Sequence, residues 1–414
     1  MNKNEAQIAV VGAGMSGLIA ALELERLGYS PHLIEASDQI GGRLKTNVEK
    51  DIYYDHGFQV LLTAYPEVKR YLDIEALDLM SFRPGALLFE DSTRPIQIGD
   101  INRDFKFLWS TLLTSVATLK DKRTLRKEQL RLKEENEDTI FDRTAHTTTR
   151  VYLREKGYSA RFRNAFFMPF YAGIYLEPDL ITSCKLFEFV FKMFAEGDAA
   201  VPRKGIAEIP RQIASRFEHT SIRLNKRVSR IVEDSKTKSA VLFINGKKER
   251  FDAVIYTAAP EQVDLKWNSC WNFYFEVDEV NKKFNDIISL VASTDSLINN
   301  FYILPQKTAN DKSILSVTVL GNPKHQEQLI KSLKLEFSAL CDIHLGDCLK
   351  SFYIENALPT YKKMRSLPRP EHVQPNANSG VFHAGDYMLY PSLNAAMKSG
   401  RLAAEAADRY LALL

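Results

Sequence analysis

The chain has 414 residues, 45% of them hydrophobic and 26% charged, with a formal net charge of +3. That length exceeds one simple core and points to two domains, which can interleave. Such a balance, without a compact basic and aromatic patch, gives no argument for nucleic acid. The four cysteines (Cys184, Cys270, Cys341, Cys348) lack C-x-x-C spacing and the eight histidines show no H-E-x-x-H grouping, so no metal is expected. The polar start MNKNEAQ runs straight into a strand and leaves no room for a secretion signal, and the longest apolar segment, 107–119, is too short to span a bilayer. A cytoplasmic chain, with peripheral membrane contact left open, is the expectation.

Ile8 to Val11 reads as a buried strand feeding a tight turn, Gly12, Gly14 and Gly17, spaced G-x-G-x-x-G. Leu18, Ala21, Leu22, Leu24 and Leu27 follow at helical spacing until Gly28 and Pro31 stop the helix. A second strand, His32 to Ile34, ends on Glu35. Gly12 permits the sharp turn, Gly14 lets a pyrophosphate approach the backbone, and Gly17 lets helix pack on strand. Met15 and Ser16 open the helix whose N–H groups face the anion, and Glu35, with Ala36 beside it, stands where an acid accepts from the adenosine ribose. A Gly-rich turn without a ligand is the bland alternative. Strand, turn, helix, strand and acid in one βαβ unit favour a dinucleotide.

Ile40-Gly41-Gly42-Arg43 comes next, and a βαβ unit followed by E-x(5)-G-G-R resembles the flavin amine oxidase, protoporphyrinogen oxidase and phytoene desaturase superfamily. The resemblance implies FAD as cofactor, with Arg43 at its pyrophosphate and Gly42 passing close by. It also implies that Gly57, Phe58, Gln59 and Val60 lie beside the isoalloxazine ring. Tyr65-Pro66 then opens a helix to about Leu77.

Residues 101–136 read as helices. Phe105, Leu108, Trp109, Leu112, Leu113, Val116 and Leu119 form one stripe, and a basic run from Lys120 to Lys133 follows. Such a segment suits either an anionic membrane surface or a solvated helix of the same domain. The aromatic run from Phe166 to Tyr175, with Phe187, Phe189, Phe191 and Phe194, suits an elongated apolar cavity or ordinary core. The order of this block is similar to the helical insertion of protoporphyrinogen oxidases and carotenoid desaturases. Val201 to Pro210 matches the family's return segment, and Val228 the position whose backbone meets adenine. Val241 to Ile244, Asn245-Gly246 and Lys247 to Phe251 read as a hairpin. Ala258 and Pro260 follow the strand Ala253 to Tyr256, where the resemblance implies a third dinucleotide contact. Strands at 271–277, 288–292, 299–304, 313–320 and 349–354, and a helix over 324–340, suit a sheet roofing the flavin.

Val381 to Asp386 is a strand ending in Gly385-Asp386, and the resemblance assigns Asp386 to the ribityl chain. Ser392, Leu393 and Asn394 begin a terminal helix whose N-terminus then faces the flavin pyrimidine edge, where its dipole stabilises the reduced ring. Ala395 departs from the family's usual glycine. The implied fold is α/β: a discontinuous Rossmann-type FAD-binding domain (1–65, 200–262, 376–414) with an α+β substrate domain (66–199, 263–375) containing a helical part over about 101–198. The implied function is hydride transfer from a substrate C–H bond to flavin N5, on an apolar isoprenoid-like or polycyclic small molecule. Oxygen, a quinone and another protein stay open as electron acceptor, and no side chain is singled out as an acid or base. Ser392 stands where monoamine oxidases keep a cage tyrosine, so amine oxidation, with Tyr390 filling the gap, is the runner-up. A non-catalytic FAD-containing lipid- or partner-binding protein is the third reading.

Overall fold

The computed structural model describes residues 3, 5–90, 94–99, 116–143, 147–234, 238–259, 265–278, 280–293, 295–360 and 380–414. The strand Ile8–Val11 is wholly buried, Met15–Arg26 is the first helix, and His32–Ile34 returns parallel to the first strand. Ile8–Val11 is the middle of a five-stranded parallel sheet ordered Ser221–Arg223, His32–Ile34, Ile8–Val11, Ala253–Tyr256 and Val381–His383. A strand covered on both faces needs apolar side chains throughout, and IAVV and AVIY supply them. Ile8, Val10 and Ile255 face the helices; Ala9, Val11 and Val254 face an antiparallel layer of Val228–Asp234, Ser239–Ile244 and Lys247–Phe251.

The terminal helix, Leu393–Leu411, crosses the first helix closely. At the crossing a Cβ on Gly400 would lie 2.1 Å from the Ser16 carbonyl oxygen, so glycine sets the approach. Three stretches far apart in the chain therefore share one layer.

A seven-stranded sheet runs Leu345–Thr360, Lys266–Val277, Ser313–Leu320, Asn300–Lys307, Ile288–Val291, Gly85–Phe89 and Ile96–Gly99. One face carries Phe273, Phe275, Phe301 and Val317 and is covered by the helix Gln326–Cys341 through Leu329, Leu333 and Phe337. The alternate residues Asn272, Tyr274, Ser316, Thr318, Asn300 and Tyr302 share the opposite face by register. The helical part holds Leu119–Lys133, Glu137–Asp142, Thr149–Glu155, Met168–Tyr175 and Cys184–Glu196.

Two expectations are corrected. The helix opening at Pro66 stops at Tyr71, well short of Leu77, because Asp73 Oδ1 accepts the Glu75 and Ala76 N–H groups (3.1 Å each) and turns the chain. The strand over 349–354 extends to Leu345–Thr360. The apolar stripe from Phe105 to Leu113 and the candidate Pro260 lie outside the described residues.

Candidate functional site

The Gly-rich turn is shaped by backbone contact. Gly12 has φ +101°, and a Cβ there would lie 2.4 Å from Thr257 Oγ1; a Cβ on Gly17 would lie 1.9 Å from the Gly12 carbonyl oxygen. Gly41-Gly42 crosses the same turn: the Gly41 N–H donates to Ala13 O (2.8 Å), and a Cβ on Gly42 would lie 2.9 Å from Gly14 Cα.

Gly14 differs. Its φ is −74°, and a Cβ would meet only Gly42 Cα, at 3.8 Å. Nothing in the protein demands glycine there, so the absent side chain leaves room in front of the first helix. That helix has no side-chain cap and no acid in its first turn, whereas Thr118, Asn136 and Thr148 cap the helices that follow them. An uncapped terminus behind a space that a Cβ would fill fits an anionic pyrophosphate. Met15 and Ser16 are buried in its first turn.

Glu35 lies against this turn. Its Oε2 accepts the Ala13 N–H (2.7 Å), and its Oε1 accepts the Ser37 N–H and hydroxyl (2.8 Å each). The Lys226 N–H donates to Glu35 O (2.8 Å), which brings the start of the strand at half-buried Val228 beside the acid. Ala36 and Ala258 are exposed, and Ala258 O accepts from the Tyr387 hydroxyl (3.2 Å).

The two chain ends meet at Arg43 and Asp386. Arg43 Nη2 lies 2.6 Å from Asp386 Oδ1, and Nη1 donates to Ala357 O (2.9 Å). The guanidinium stands 5.5 Å from the Trp267 ring centroid. Asp386 is almost fully buried, and Gly385, at φ +147°, turns the chain into it. Gln59 Nε2 donates to Arg43 O (2.8 Å) and His56 O (3.0 Å), so the segment at Gly57 (φ +94°) is tied to the arginine's own backbone. Phe58 meets Tyr302 (4.7 Å) on the seven-stranded sheet and Phe82 (5.8 Å), and Val60 packs on the core.

Sequence reasoning passed over Asp55, two residues before Gly57. It is buried, and its Oδ1 accepts from the Thr46 hydroxyl (2.6 Å) and the Ile206 N–H (2.9 Å), which seats the return segment. Burial pushes its pKa up to about 6, against those two hydrogen bonds, which lower it. Its place two residues before Gly57, in Asp55-His56-Gly57, was the available signal.

At the terminal helix Ser392 is the N-cap, its Oγ accepting the Ala395 N–H (3.0 Å), and Leu393 is half-buried. The side chain of Asn394 is fully buried and committed to the protein: Oδ1 accepts the Glu67 N–H (3.0 Å), and Nδ2 donates to the Tyr390 hydroxyl (2.8 Å) and Glu137 Oε2 (3.3 Å). Ala395 fits with no exposure. Tyr390 is stacked on Phe141 (4.4 Å, 19°), lies edge-on to Phe189, and donates its hydroxyl to Glu137 Oε1 (2.7 Å). It is therefore held in the helical packing.

The aromatic run has two faces. A π-helical turn, Arg163–Phe167, precedes Met168–Tyr175 and resets the register. Phe162, Phe167, Tyr171 and Phe187 are core, while Phe166, Phe170, Ile174 and Phe194 stay half-buried. Phe170 stacks on Phe166 (5.3 Å) and meets Phe194 (5.1 Å). Asn299 Nδ2 donates to Pro169 O (3.1 Å), and a Cβ on Gly173 would lie 2.7 Å from Asn300 Nδ2. Asn300 and Tyr302 share a face of one strand, so this helix and Phe58 lie along the same side of the sheet, about 7 Å apart in strand register.

Among the described residues, no group of three His, Cys, Asp or Glu is placed to hold a metal, and no helix is long and apolar enough to cross a membrane. An L-amino-acid oxidase of Sistrurus catenatus edwardsii is 38% identical over 79 residues, 19% of this chain and 15% of that protein, so the match spans under a fifth of its length. The 15-cis-phytoene desaturase of Synechococcus elongatus is 21% identical over 97% of this chain and 95% of its own. The CLA-producing fatty acid isomerase of P. acnes superimposes with a TM-score of 0.71 at 16% identity, over 97% and 98% of the two chains, which is a likeness of fold. The family model described as flavin containing amine oxidoreductase matches residues 15–407. The chain belongs to that family, and its cofactor is FAD.

Proposed function

We propose that this chain is an FAD-dependent oxidoreductase acting on an apolar isoprenoid-like or polycyclic substrate. The observation that carries the substrate class is the half-buried face of Phe166, Phe170, Ile174 and Phe194, on the same side of the sheet as Phe58. Such a wall gives a long hydrocarbon a dry surface and offers no charge to an amine. Similarity to a phytoene desaturase along nearly the whole chain agrees with it.

In this reading Gly12, Gly14, Met15, Ser16 and Gly17 cradle the phosphates, and Glu35 and Ala36 receive the adenosine ribose beside Val228. Ala258 and Pro260 close that end, and Gly42 and Arg43 line the pyrophosphate. Asp386, after Gly385, takes the ribityl hydroxyls while fixing Arg43. Gly57, Phe58, Gln59 and Val60 border the ring, and Ser392, Leu393 and Asn394 present a helix N-terminus to its pyrimidine edge. FAD, when bound, supplies the hydride acceptor at N5. The protein orients the substrate C–H bond, excludes water, and places a positive dipole end where negative charge develops. The same reading divides the chain into a cofactor domain (1–65, 200–262, 376–414) and a substrate domain (66–199, 263–375).

The helix Leu119–Lys133 turns Asp121 and Glu128 inward and leaves Leu119, Lys120, Arg123, Arg126, Lys127, Leu130 and Lys133 exposed. That face suits an anionic membrane surface holding such a substrate. Anaerobic mixing of the yellow protein with polyprenyl hydrocarbons, porphyrinogens and long-chain amines tests the function. Loss of the visible flavin band with the hydrocarbons or porphyrinogens supports it; bleaching by amines alone overturns the substrate class, and no bleaching by any leaves a binding protein. Co-sedimentation with anionic vesicles that survives Arg123→Glu and Lys127→Glu would remove the membrane contact.

A further inference from the structure

One acid of the helical part is bound to the cofactor-facing end of the terminal helix at three points. Glu137 Oε1 accepts from the Tyr390 hydroxyl (2.7 Å) and from Lys398 Nζ (2.9 Å), and its Oε2 accepts from Asn394 Nδ2 (3.3 Å). These partners lie two residues before the N-cap, in the first turn and one turn further on. The Glu137 and Lys398 side chains are 10% and 14% exposed, so solvent screens the pair weakly. Asn394 carries the contact onward, its Oδ1 accepting the Glu67 N–H, and Glu67 pairs with Arg401 (2.8 Å) further along the same helix. Phe141, on the same short helix as Glu137, stacks on the Tyr390 ring.

We infer that Glu137 is a positioning residue for the flavin, acting through Tyr390, Asn394 and Lys398 to fix the first turns of the terminal helix. The inference rests on the reading that this terminus faces the flavin. A helix N-terminus stabilises the reduced ring only while its N–H groups hold their direction. Without Glu137 a buried ammonium, a phenol and a carboxamide lose their common acceptor, and the turn carrying Ser392 and Leu393 is left with the ring packing of Tyr390 on Phe141 and Phe189 and the Lys398–Asp138 pair (3.2 Å) as ties to the helical part.

The test is the two-electron midpoint potential of the FAD-loaded protein, measured for the parent, Glu137→Ala and Lys398→Met at equal flavin content. Loss of positioning lowers the potential in both variants, with about a tenfold fall in the reduced-to-oxidised ratio, which is about 30 mV for a two-electron couple. A through-space effect of charge does the opposite in the two: removing an anion raises the potential and removing a cation lowers it. Opposite signs, or no shift in either, overturn the inference. Tyr390→Phe, which keeps the ring and removes one hydroxyl, must shift the potential the same way by a smaller amount, and it carries the test should Glu137→Ala not fold. A colourless parent that takes up no flavin sinks the cofactor-site reading and the inference with it; a yellow parent with unshifted variants sinks the inference alone.

Discussion

At the Gly-rich turn the surface is made by backbone, and at the aromatic helix it is made by side chains. Around Gly12, Gly17 and Gly42 an added Cβ would come within 3 Å of another atom: the Thr257 hydroxyl at Gly12, and backbone at Gly17 and Gly42. Around Phe166 and Phe170 rings stack on rings, and the helix beneath them is tied to the Asn299 amide through Pro169 O and approaches the Asn299 and Asn300 amides closely at Gly173. The first arrangement tolerates almost no change of residue, and a local sequence pattern records it. The second tolerates exchange of one large apolar group for another, so it can be retuned for a different substrate while the first stays fixed.

The sharpest break of that contrast is Gly17→Ala. Alanine is the better helix former by about 1 kcal/mol, yet its Cβ would sit 1.9 Å from the Gly12 carbonyl oxygen. We expect a net loss of about 4 kcal/mol in denaturant unfolding, together with loss of flavin on gel filtration. Near-parental stability would show that the turn is not close-packed.

Asp55 sits at the seam of the two regions. It holds the return segment through Ile206, and its carbonyl accepts from the Tyr274 hydroxyl (2.8 Å) on the sheet. Because burial raises its pKa to about 6 from an ordinary value of 3.8, the folded protein favours the protonated acid. That contribution is fully present below about pH 4 and is lost as pH rises through about 6, amounting to about 3 kcal/mol. Asp55→Asn keeps an oxygen for both the Thr46 hydroxyl and the Ile206 N–H. It should flatten the fall of stability between pH 4 and 7, and an unchanged slope in urea titrations would refute the assignment.

Gly14→Ala separates the needs of the fold from the needs of the ligand. Its Cβ has room within the protein, at 3.8 Å from its nearest neighbour. Stability should therefore fall by less than about 1 kcal/mol, while flavin affinity falls about tenfold, or about 1.4 kcal/mol, as the methyl enters the phosphate space. Equal affinity in a flavin titration would place the pyrophosphate elsewhere.

The same contrast explains what could be read from residues alone. Gly12, Gly17 and Gly41-Gly42 announce themselves because each answers a local rule. So does Asn245-Gly246, whose φ values of +46° and +81° close the hairpin that this dipeptide announces. The Arg43–Asp386 pair spans 343 positions, and no spacing rule connects its members, so only the resemblance put both at one cofactor. Glu137 reads in sequence as one acid among several in a charged run, and its burial comes from packing between helices distant in the chain. The split of the aromatic run into core and wall depends on the π-helical turn at Arg163–Phe167, which shifts the faces away from simple 3.6-residue periodicity.

Phe170→Ala has the smallest expected effect and bears most directly on the side-chain half of the contrast. Phe170 is half-buried and touches Phe166, Tyr171 and Phe194, so truncation removes part of a wall and leaves the fully buried Phe167 in place. Partial burial should hold the loss of stability to about 1 kcal/mol, with flavin content unchanged because the cradle is built from other segments. If the wall holds the hydrocarbon body equally in ground and transition states, KM for the bleaching substrate rises about fivefold, close to 1 kcal/mol, and kcat stays constant. A fall in kcat at constant KM would mean that Phe170 aligns the reacting carbon instead, and loss of flavin would mean that the two regions are not separable.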